Sequence, residues 1–329
     1  MERVQIAVTG GTGHLGYCLI QNLVKNGYFV RALYRNNIPE LKHSNLLWIK
    51  GDLTDVASLE LLVEKASVMI HSASLISVGN QDAKEVYRVN VNGTQSILKV
   101  CQNRPIRMIY ISSSVAVKET IDNQIHDENR PYKTETDFSY DWSKAVSEQL
   151  VLKDVKDKGL DAFILRPTSI VGPPDYRPSY FGQTIKDLAL SNMPITIQGG
   201  YNLVDVRDVA QTIINSITLG SAGAVYLVGG NYIHLKQIAE LLHPHKTFFS
   251  IPINVLIGLL PILKWYQKIF PLKWLITKES LITLKRAPKK IDSSKAMKHL
   301  NHQIRPTSET ITDLIEWFKK EQENDFRNI

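Results

Sequence analysis

Tyr140 and Lys144 stand four residues apart at the head of a stretch with helical character, downstream of the serine run Ser112-Ser113-Ser114. Side chains at i and i+4 share one face of a helix, so an ammonium can sit close to a phenol. An unperturbed phenol titrates at about 10, and a neighbouring cation favours the phenolate and brings proton exchange toward neutral pH. That is the chemistry of a general acid/base, with a serine hydroxyl at hand to orient the group it serves. The same lysine is placed to hydrogen-bond a ribose. Y-x-x-x-K alone is equally an exposed helix pair, and its position after a Ser-rich strand end turns it toward catalysis.

A second element supplies a partner for such an acid. Thr9-Gly10-Gly11-Thr12-Gly13-His14-Leu15-Gly16 follows the apolar run Val4 to Val8 and precedes the helical stretch Tyr17 to Asn26. Glycines at 10, 13 and 16 permit a sharp turn that brings backbone N–H groups and a helix N-terminus against a pyrophosphate. Thr12, His14 and Leu15 belong to the same turn, whose bland reading is a tight glycine corner. A carboxylate about 20 positions past such a turn grips the ribose 2′-OH of NAD. The second strand ends instead in Leu33-Tyr34-Arg35-Asn36-Asn37, where a guanidinium suits a 2′-phosphate. NADP(H) is therefore favoured over NAD(H), the alternative being that Arg35 stacks on adenine or points into solvent.

These residues need strands and helices to hold them. Strand-like runs at Val4 to Val8, Phe29 to Tyr34, Leu46 to Ile49, Ser67 to His71, Arg107 to Ile111 and Ala162 to Leu165 alternate with amphipathic stretches such as Val56 to Lys65 and Ala83 to Cys101. The pattern predicts an α/β fold, a Rossmann-type doubly wound parallel sheet with chemistry at the carboxyl ends of its strands. Residues 1–172 form this cofactor domain and 204–228 return to it. Residues 173–203 and 229–329 form a smaller C-terminal α/β substrate domain.

The chain has 329 residues, enough for both units, and a net charge of +7 concentrated toward its end in Lys264, Lys268, Lys273, Lys278, Lys285, Arg286, Lys289 and Lys290. Without stacking aromatics on strands, a helix-turn-helix pattern or a metal-ligand cluster, this reads as a solvated basic face rather than a specific nucleic-acid site. Cys18 and Cys101 lie far apart as free thiols, and the strand pattern opens at Val4 without a leader pattern, so a cytoplasmic setting is expected. The apolar segment Ile251 to Leu263 is short of the ~20 residues of a membrane span and contains Pro252 and Pro261. It is either a wall of the substrate domain or a membrane-surface contact over 251–278, with Trp265, Tyr266, Phe270 and Trp274 among lysines.

With the glycine turn and Y-x-x-x-K in place, further ordered motifs make the chain resemble an extended short-chain dehydrogenase/reductase of the NAD-dependent epimerase/dehydratase group. They are Gly51-Asp52-Leu53, His71-Ser72-Ala73-Ser74, Asn90-Val91-Asn92-Gly93-Thr94, Leu165-Arg166-Pro167, Gly172-Pro173 and Val204-Asp205-Val206-Arg207-Asp208-Val209. Ser294-Lys295-Ala296 and Glu316-Trp317-Phe318 resemble the family's closing segment. Within the group the chain is similar to dihydroflavonol-4-reductase-like and hydroxysteroid-dehydrogenase-like members. The resemblance implies that Tyr140 is the general acid/base, Lys144 its activator and ribose ligand, and Ser114 the hydroxyl orienting a carbonyl. It implies that Asp52 and Leu53 approach the adenine, that Ser72, Ala73, Ser74 and Pro167 line the cofactor cleft, and that the chain forms a homodimer. Asn90 reads as a structural helix residue.

Nucleotide-sugar enzymes of the group commonly carry an asparagine where this chain has Ser169, which weakens that substrate class, although Arg177 or Arg207 could still meet phosphate; Arg207 reads better as a packing residue. Leu75, Ile76, Val115, Ala116 and Ile170 surround the expected pocket and favour an apolar or amphipathic ketone, aldehyde or secondary alcohol. Competing readings are an epimerase or dehydratase of nucleotide sugars and a dinucleotide-sensing protein without turnover, which would not need the intact Ser, Tyr and Lys set.

Overall fold

The computed structural model describes residues 4–77, 82–102, 104–120, 124–191, 193–269 and 277–327, with the side chains of 263–269 and 322–327 outside the description. The chain opens with β1 (Gln5–Thr9), α1 (His14–Lys25), β2 (Phe29–Tyr34), β3 (Leu46–Lys50), α2 (Val56–Val63) and β4 (Val68–His71). Next α3 (Ala83–Tyr87) passes through a π turn at Arg88–Asn92 into α4 (Gly93–Cys101), followed by β5 (Arg107–Ile111), a 3-10 turn at Ser114–Ala116, α5 (Ser139–Lys158) and β6 (Ala162–Pro167). Then come β7 (Ser169–Val171), α6 (Tyr180–Leu190), β8 (Ile195–Ile197), β9 (Gly200–Asp205), α7 (Val206–Leu219), β10 (Val225–Val228) and β11 (Asn231–His234). The remainder is helical apart from β12 (Phe249–Ile251): α8 (Leu235–Leu242), α9 (Ile253–Ile269), α10 (Lys278–Arg286), α11 (Ser294–Leu300) and α12 (Thr307–Arg327).

Seven strands form one parallel sheet in the order β10-β6-β5-β4-β1-β2-β3. Alternation along each strand divides its apolar residues between two faces. Ile6, Val8, Ile109, Ile111, Phe163 and Leu165 enter one core with residues of α1 and α7. Ala7, Met69, Met108, Tyr110, Ala162 and Ile164 enter the other with residues of α2, α4 and α5. The sheet is thus a Rossmann-like layer covered on both sides. Cys18 and Cys101 are buried in these cores as free thiols, and burial pushes both up to about 12, far from nucleophilic chemistry.

A smaller lobe holds the sheet β11-β9-β7, the pair β12-β8 and a third core built from residues such as Val171, Ile185, Leu203, Leu256, Leu284 and Leu314. Asp205 caps α7 by accepting the Arg207 N–H at 2.8 Å, and it also accepts the Arg207 guanidinium at 2.6 Å and the Thr310 hydroxyl at 2.8 Å. Arg207 reaches Asp313 as well, so its charge is occupied in packing α12. In α9, Ile253, Leu256 and Leu260 turn inward while Val255, Leu259 and Ile262 are exposed. No helix among the described residues is long and apolar enough to cross a membrane. Trp265, Tyr266, Phe270, Trp274, Lys264, Lys268 and Lys273 lie outside the described side chains; Lys278, Lys285, Arg286, Lys289 and Lys290 are exposed.

One buried ion pair locks α5 onto the sheet. Arg166, at the end of β6 and 2% exposed, forks onto the fully buried Glu148 of α5 at 2.6 to 3.0 Å and donates to the Glu128 carbonyl at 2.9 Å. Removing one member strands the other's charge in the interior, which costs about 3–5 kcal/mol. Arg166→Met should therefore lower stability by about that amount in urea unfolding, with Arg166→Met/Glu148→Leu recovering most of it. A single variant as stable as the parent would show that the pair does not hold the helix.

Candidate active site

The carboxyl ends of the parallel strands open into a cavity of about 1340 Å³. Because β1 has β2 on one side and β4 on the other, the chain leaves it toward opposite sides of the sheet, which creates the crevice in which α/β proteins hold ligands. All sixteen residues expected from sequence to bind cofactor or do chemistry lie on this wall. Gly10, Thr12, Gly13, His14, Leu15 and Gly16 form the turn after β1, Arg35 follows β2, and Asp52 and Leu53 follow β3. Ser72, Ala73 and Ser74 follow β4, Ser114 follows β5, Tyr140 and Lys144 stand on α5, and Pro167 ends β6.

The glycines satisfy close approaches that other residues would prevent. A Cβ on Gly16 would lie 2.0 Å from the Gly10 carbonyl oxygen, and Gly10 itself has φ +75° with the backbone nitrogen of Ala73 only 2.7 Å from its missing Cβ. Such a cradle fits a diphosphate group against the start of α1. His14 does more than share in the turn: its Nε2 bonds the Gly172 carbonyl at 2.7 Å and ties α1 to the exit from β7. The Ser72 hydroxyl likewise donates to the Thr9 carbonyl at 3.0 Å. At the far end, Arg35 is 65% exposed along its side chain and 3.9 Å from Asp52. Against the upward push of burial, the Thr54 N–H and hydroxyl and the nearby Arg35 hold Asp52 below its ordinary value.

Around Tyr140 the structure departs from the simplest sequence expectation. Lys144 is 2% exposed, and its Nζ donates to the Ile111 carbonyl at 2.9 Å and lies 5.2 Å from the Tyr110 ring centre. Burial lowers this ammonium to about 8. The phenol is not brought down beside it: desolvation and the Asp141 carboxylate push Tyr140 up to about 12, against the downward pull of hydrogen bonds with Ser74 and Ser113. Spacing put Lys144 on the right face, but the β5 carbonyl competes for its protons. Ser114 lines the cavity at the start of the 3-10 turn, while Ser113, which caps that turn, is the serine of the run in contact with the phenol.

Asn90 does more than its helical position suggested. Its carboxamide accepts the Leu75 N–H at 2.7 Å and donates to the Leu75 carbonyl at 3.1 Å and the Ser143 hydroxyl at 2.9 Å. Ser143 in turn donates to the Tyr140 carbonyl at 2.7 Å, so the loop bearing Ser74 is registered against the helix bearing Tyr140. Beneath them Thr9, His71 and Thr94 form a buried chain, with His71 bonded to both hydroxyls at 2.7 and 3.2 Å. Beside the site, the buried Lys133 lies 2.5 Å from Glu119 and 3.7 Å from Asp141, whose carboxyl burial pushes up to about 7. No signal in the sequence marked Asp141 or Lys133.

The substrate side is largely apolar. Leu75, Ile76, Val115, Ser169 and Ile170 lie on the wall, but Ala116 is fully buried behind it because the 3-10 turn points it inward. The smaller lobe adds Phe181, Leu188, Tyr201, Ile251, Leu256 and Leu284. Arg177 is exposed and off this wall.

A model of the 3-beta hydroxysteroid dehydrogenase/isomerase family matches residues 7–216. The chain is 31% identical to sterol demethylase protein B of Methylococcus capsulatus, across 95% of this chain and 98% of that protein. It is also 31% identical to a putative dihydroflavonol 4-reductase of Synechocystis, across 95% and 94%. Among solved structures, gox2253 superposes with a TM-score of 0.80 at 28% identity, covering 97% of this chain and 99% of that one. UDP-glucose 4-epimerase of Thermotoga maritima shares the fold with a TM-score of 0.77 at 19% identity, covering 97% and 100%.

Burial and the Lys144 charge hold His71 down at about 3, and burial lowers His126, to about 4, and His302 too. In the unfolded chain these imidazoles take up protons below about 6.5, so each subtracts stability as pH falls through that value, up to about 1.4 kcal/mol per pH unit. Asp141 works oppositely, since its folded carboxyl binds a proton below about 7 that the unfolded one releases until about 4. Thermal melts should therefore show net destabilisation from pH 7 to pH 5, and His71→Gln should flatten that slope relative to the parent. An unchanged slope would refute a neutral buried His71.

Proposed function

From the premise that the chain belongs to the 3-beta hydroxysteroid dehydrogenase/isomerase family, and is an NAD(P)-dependent enzyme of the extended short-chain dehydrogenase/reductase kind, we propose that it is an NADP(H)-dependent oxidoreductase. Its substrate is an apolar or amphipathic ketone or aldehyde, or the corresponding secondary alcohol. The observation that carries this reading is the meeting, in one cavity, of the glycine cradle, the Tyr140 phenol with its serine partners, and a wall of apolar side chains from the smaller lobe. A nicotinamide cofactor, when bound, supplies the hydride that such a cavity delivers to a carbonyl carbon.

The residues of the chain do the rest. The Tyr140 hydroxyl gives its proton to the carbonyl oxygen as negative charge grows there, or takes one back in the oxidative direction. Ser113 holds the phenol, and Ser114, next along the turn, donates a hydrogen bond to the same carbonyl oxygen. A phenol that titrates at about 12 stays protonated at neutral pH, which suits the acid of a reductase. Lys144, fixed by the Ile111 carbonyl, keeps further N–H bonds for a ribose hydroxyl. Arg35, exposed and held only by a loose 3.9 Å ion pair to Asp52, can turn to a 2′-phosphate, which favours NADP(H). The apolar wall and Ser169 speak against a nucleotide sugar, which would need charged partners for its phosphates.

Oxidation of NADPH and of NADH, followed against a panel of ketones, aldehydes and nucleotide sugars, tests the reading. Tyr140→Phe should lower kcat by about 10²- to 10⁴-fold while leaving cofactor affinity near that of the parent; equal activity in this variant would exclude the mechanism. Arg35→Ala should weaken NADPH relative to NADH by roughly tenfold to a hundredfold, the range of a lost charge-assisted bond. A preference untouched by that change would remove Arg35 from cofactor selection.

A further inference from the structure

Several hydroxyls that the smaller lobe brings to the cavity wall are occupied by their own neighbours. Ser179 donates to the Asp175 carboxylate at 2.8 Å, Thr184 to the Tyr180 carbonyl at 2.9 Å and Ser280 to the Thr277 carbonyl at 2.9 Å, while Thr196 shares a hydrogen bond with the Ser250 hydroxyl at 3.0 Å. Tyr201 differs. It lies on the same wall, and its phenol oxygen makes no hydrogen bond among the described residues yet keeps accessible surface. Alternation along β9 turns Tyr201 and Leu203 toward the third core, where that wall is built, and Val204 toward the core of the main sheet. A polar group left unmet beside apolar side chains is unfavourable, and one that a cavity can reach points to a polar group on the ligand.

The place of Tyr201 in the fold says what that group is. β9 is the central strand of the sheet β11-β9-β7, so Tyr201 is held on one side by Ile233 of β11, while β7 on the other side brings Ser169 and Ile170 to the wall. The Phe181 ring stands at 88° to the phenol with centres 5.0 Å apart, which fixes the ring within the lobe. Its companions that belong both to this core and to the wall are apolar, among them Phe181, Leu188, Ile197, Leu256 and Leu284. Burial pushes the phenol up to about 12, so it brings a neutral hydroxyl and no charge. A charged ligand group here would lose its hydration without gaining a counter-ion from Tyr201, whereas a neutral oxygen would gain a partner. Tyr140 and Ser114, which serve the reacting carbonyl, stand on the larger domain. One molecule engages them and Tyr201 together only if it carries two oxygen functions on an apolar body that bridges the lobes.

We propose that Tyr201 determines specificity by hydrogen-bonding a second, neutral oxygen function of the substrate, a hydroxyl or a carbonyl, at the end of its apolar body away from the reacting carbonyl. The inference rests on the oxidoreductase reading and narrows its substrate class from any apolar or amphipathic carbonyl compound to one with two oxygen functions. A phenol both donates and accepts, so it serves either kind of oxygen.

Initial rates of NADPH and NADH oxidation test the assignment with a series of methyl n-alkyl ketones of increasing chain length, each beside its ω-hydroxy counterpart. Flexible chains let the distal hydroxyl reach the phenol at whichever length fits. In the parent, the ratio of kcat/KM for the hydroxyketone to that for the plain ketone should rise at the fitting lengths to roughly threefold to tenfold, the range of one neutral hydrogen bond. Tyr201→Phe keeps the ring that packs against Phe181 and should bring that ratio to about one or below at every length, since the distal hydroxyl is then left unpaired against an apolar wall. A parent that prefers no hydroxyketone at any length, or a preference that survives Tyr201→Phe, would overturn the inference while leaving the oxidoreductase reading intact. A parent that reduces neither these ketones nor the wider panel with either cofactor would overturn that reading and this inference with it.

Discussion

Seven parallel strands all end on one edge of the sheet, and β1 sits where the order reverses, with β2 on one side and β4 on the other. Connections from β1 and β4 therefore depart over opposite faces and leave a crevice between them. The glycine turn, the loop with Ser74, the serine run and Pro167 are successive carboxyl ends along that crevice. Their separation follows from strand spacing, which spreads the glycine turn, the serine run and Arg35 over a length no single loop could span. The close approach of Gly16 to the Gly10 carbonyl lets α1 begin against this edge instead of one turn away.

Burial governs the chemistry at the edge. It lowers Lys144 to about 8, raises Tyr140 to about 12 and keeps His71 neutral down to about 3. Each group is held by a specific partner: Lys144 by Ile111, Tyr140 by two serines, and His71 by two threonines. In a low-dielectric site these bonds decide which groups carry protons. The Arg166–Glu148 pair anchors the helix that carries Tyr140 and Lys144, and Asn90 fixes the facing loop to the same helix. The buried ion pair and the groups proposed for catalysis thus share α5.

The smaller lobe gives the site its character. Its core is built from residues of α6, α8, α9 and α10 among others, and residues of that core or packed against it, among them Phe181, Ile251 and Leu256, also line the cavity. Ile251 and Leu256 place the start of the apolar segment on the cavity wall, while Val255, Leu259 and Ile262 occupy the outer face of α9. An amphipathic helix with one face in a cavity wall needs no bilayer to explain its inner residues.

Periodicity and glycine spacing in the chain itself were enough for the α/β class and for the tight glycine turn after β1, because strand alternation and the lack of a Cβ are local properties. Y-x-x-x-K likewise identified one helix face. What spacing could not determine was where the protons of Lys144 go, since that depends on a carbonyl of β5, thirty-three residues away. Nor could it separate Ser113 from Ser114, place Ala116 behind the wall, or assign Asn90 to the Leu75 backbone, because each depends on how a turn is aimed after strands have paired.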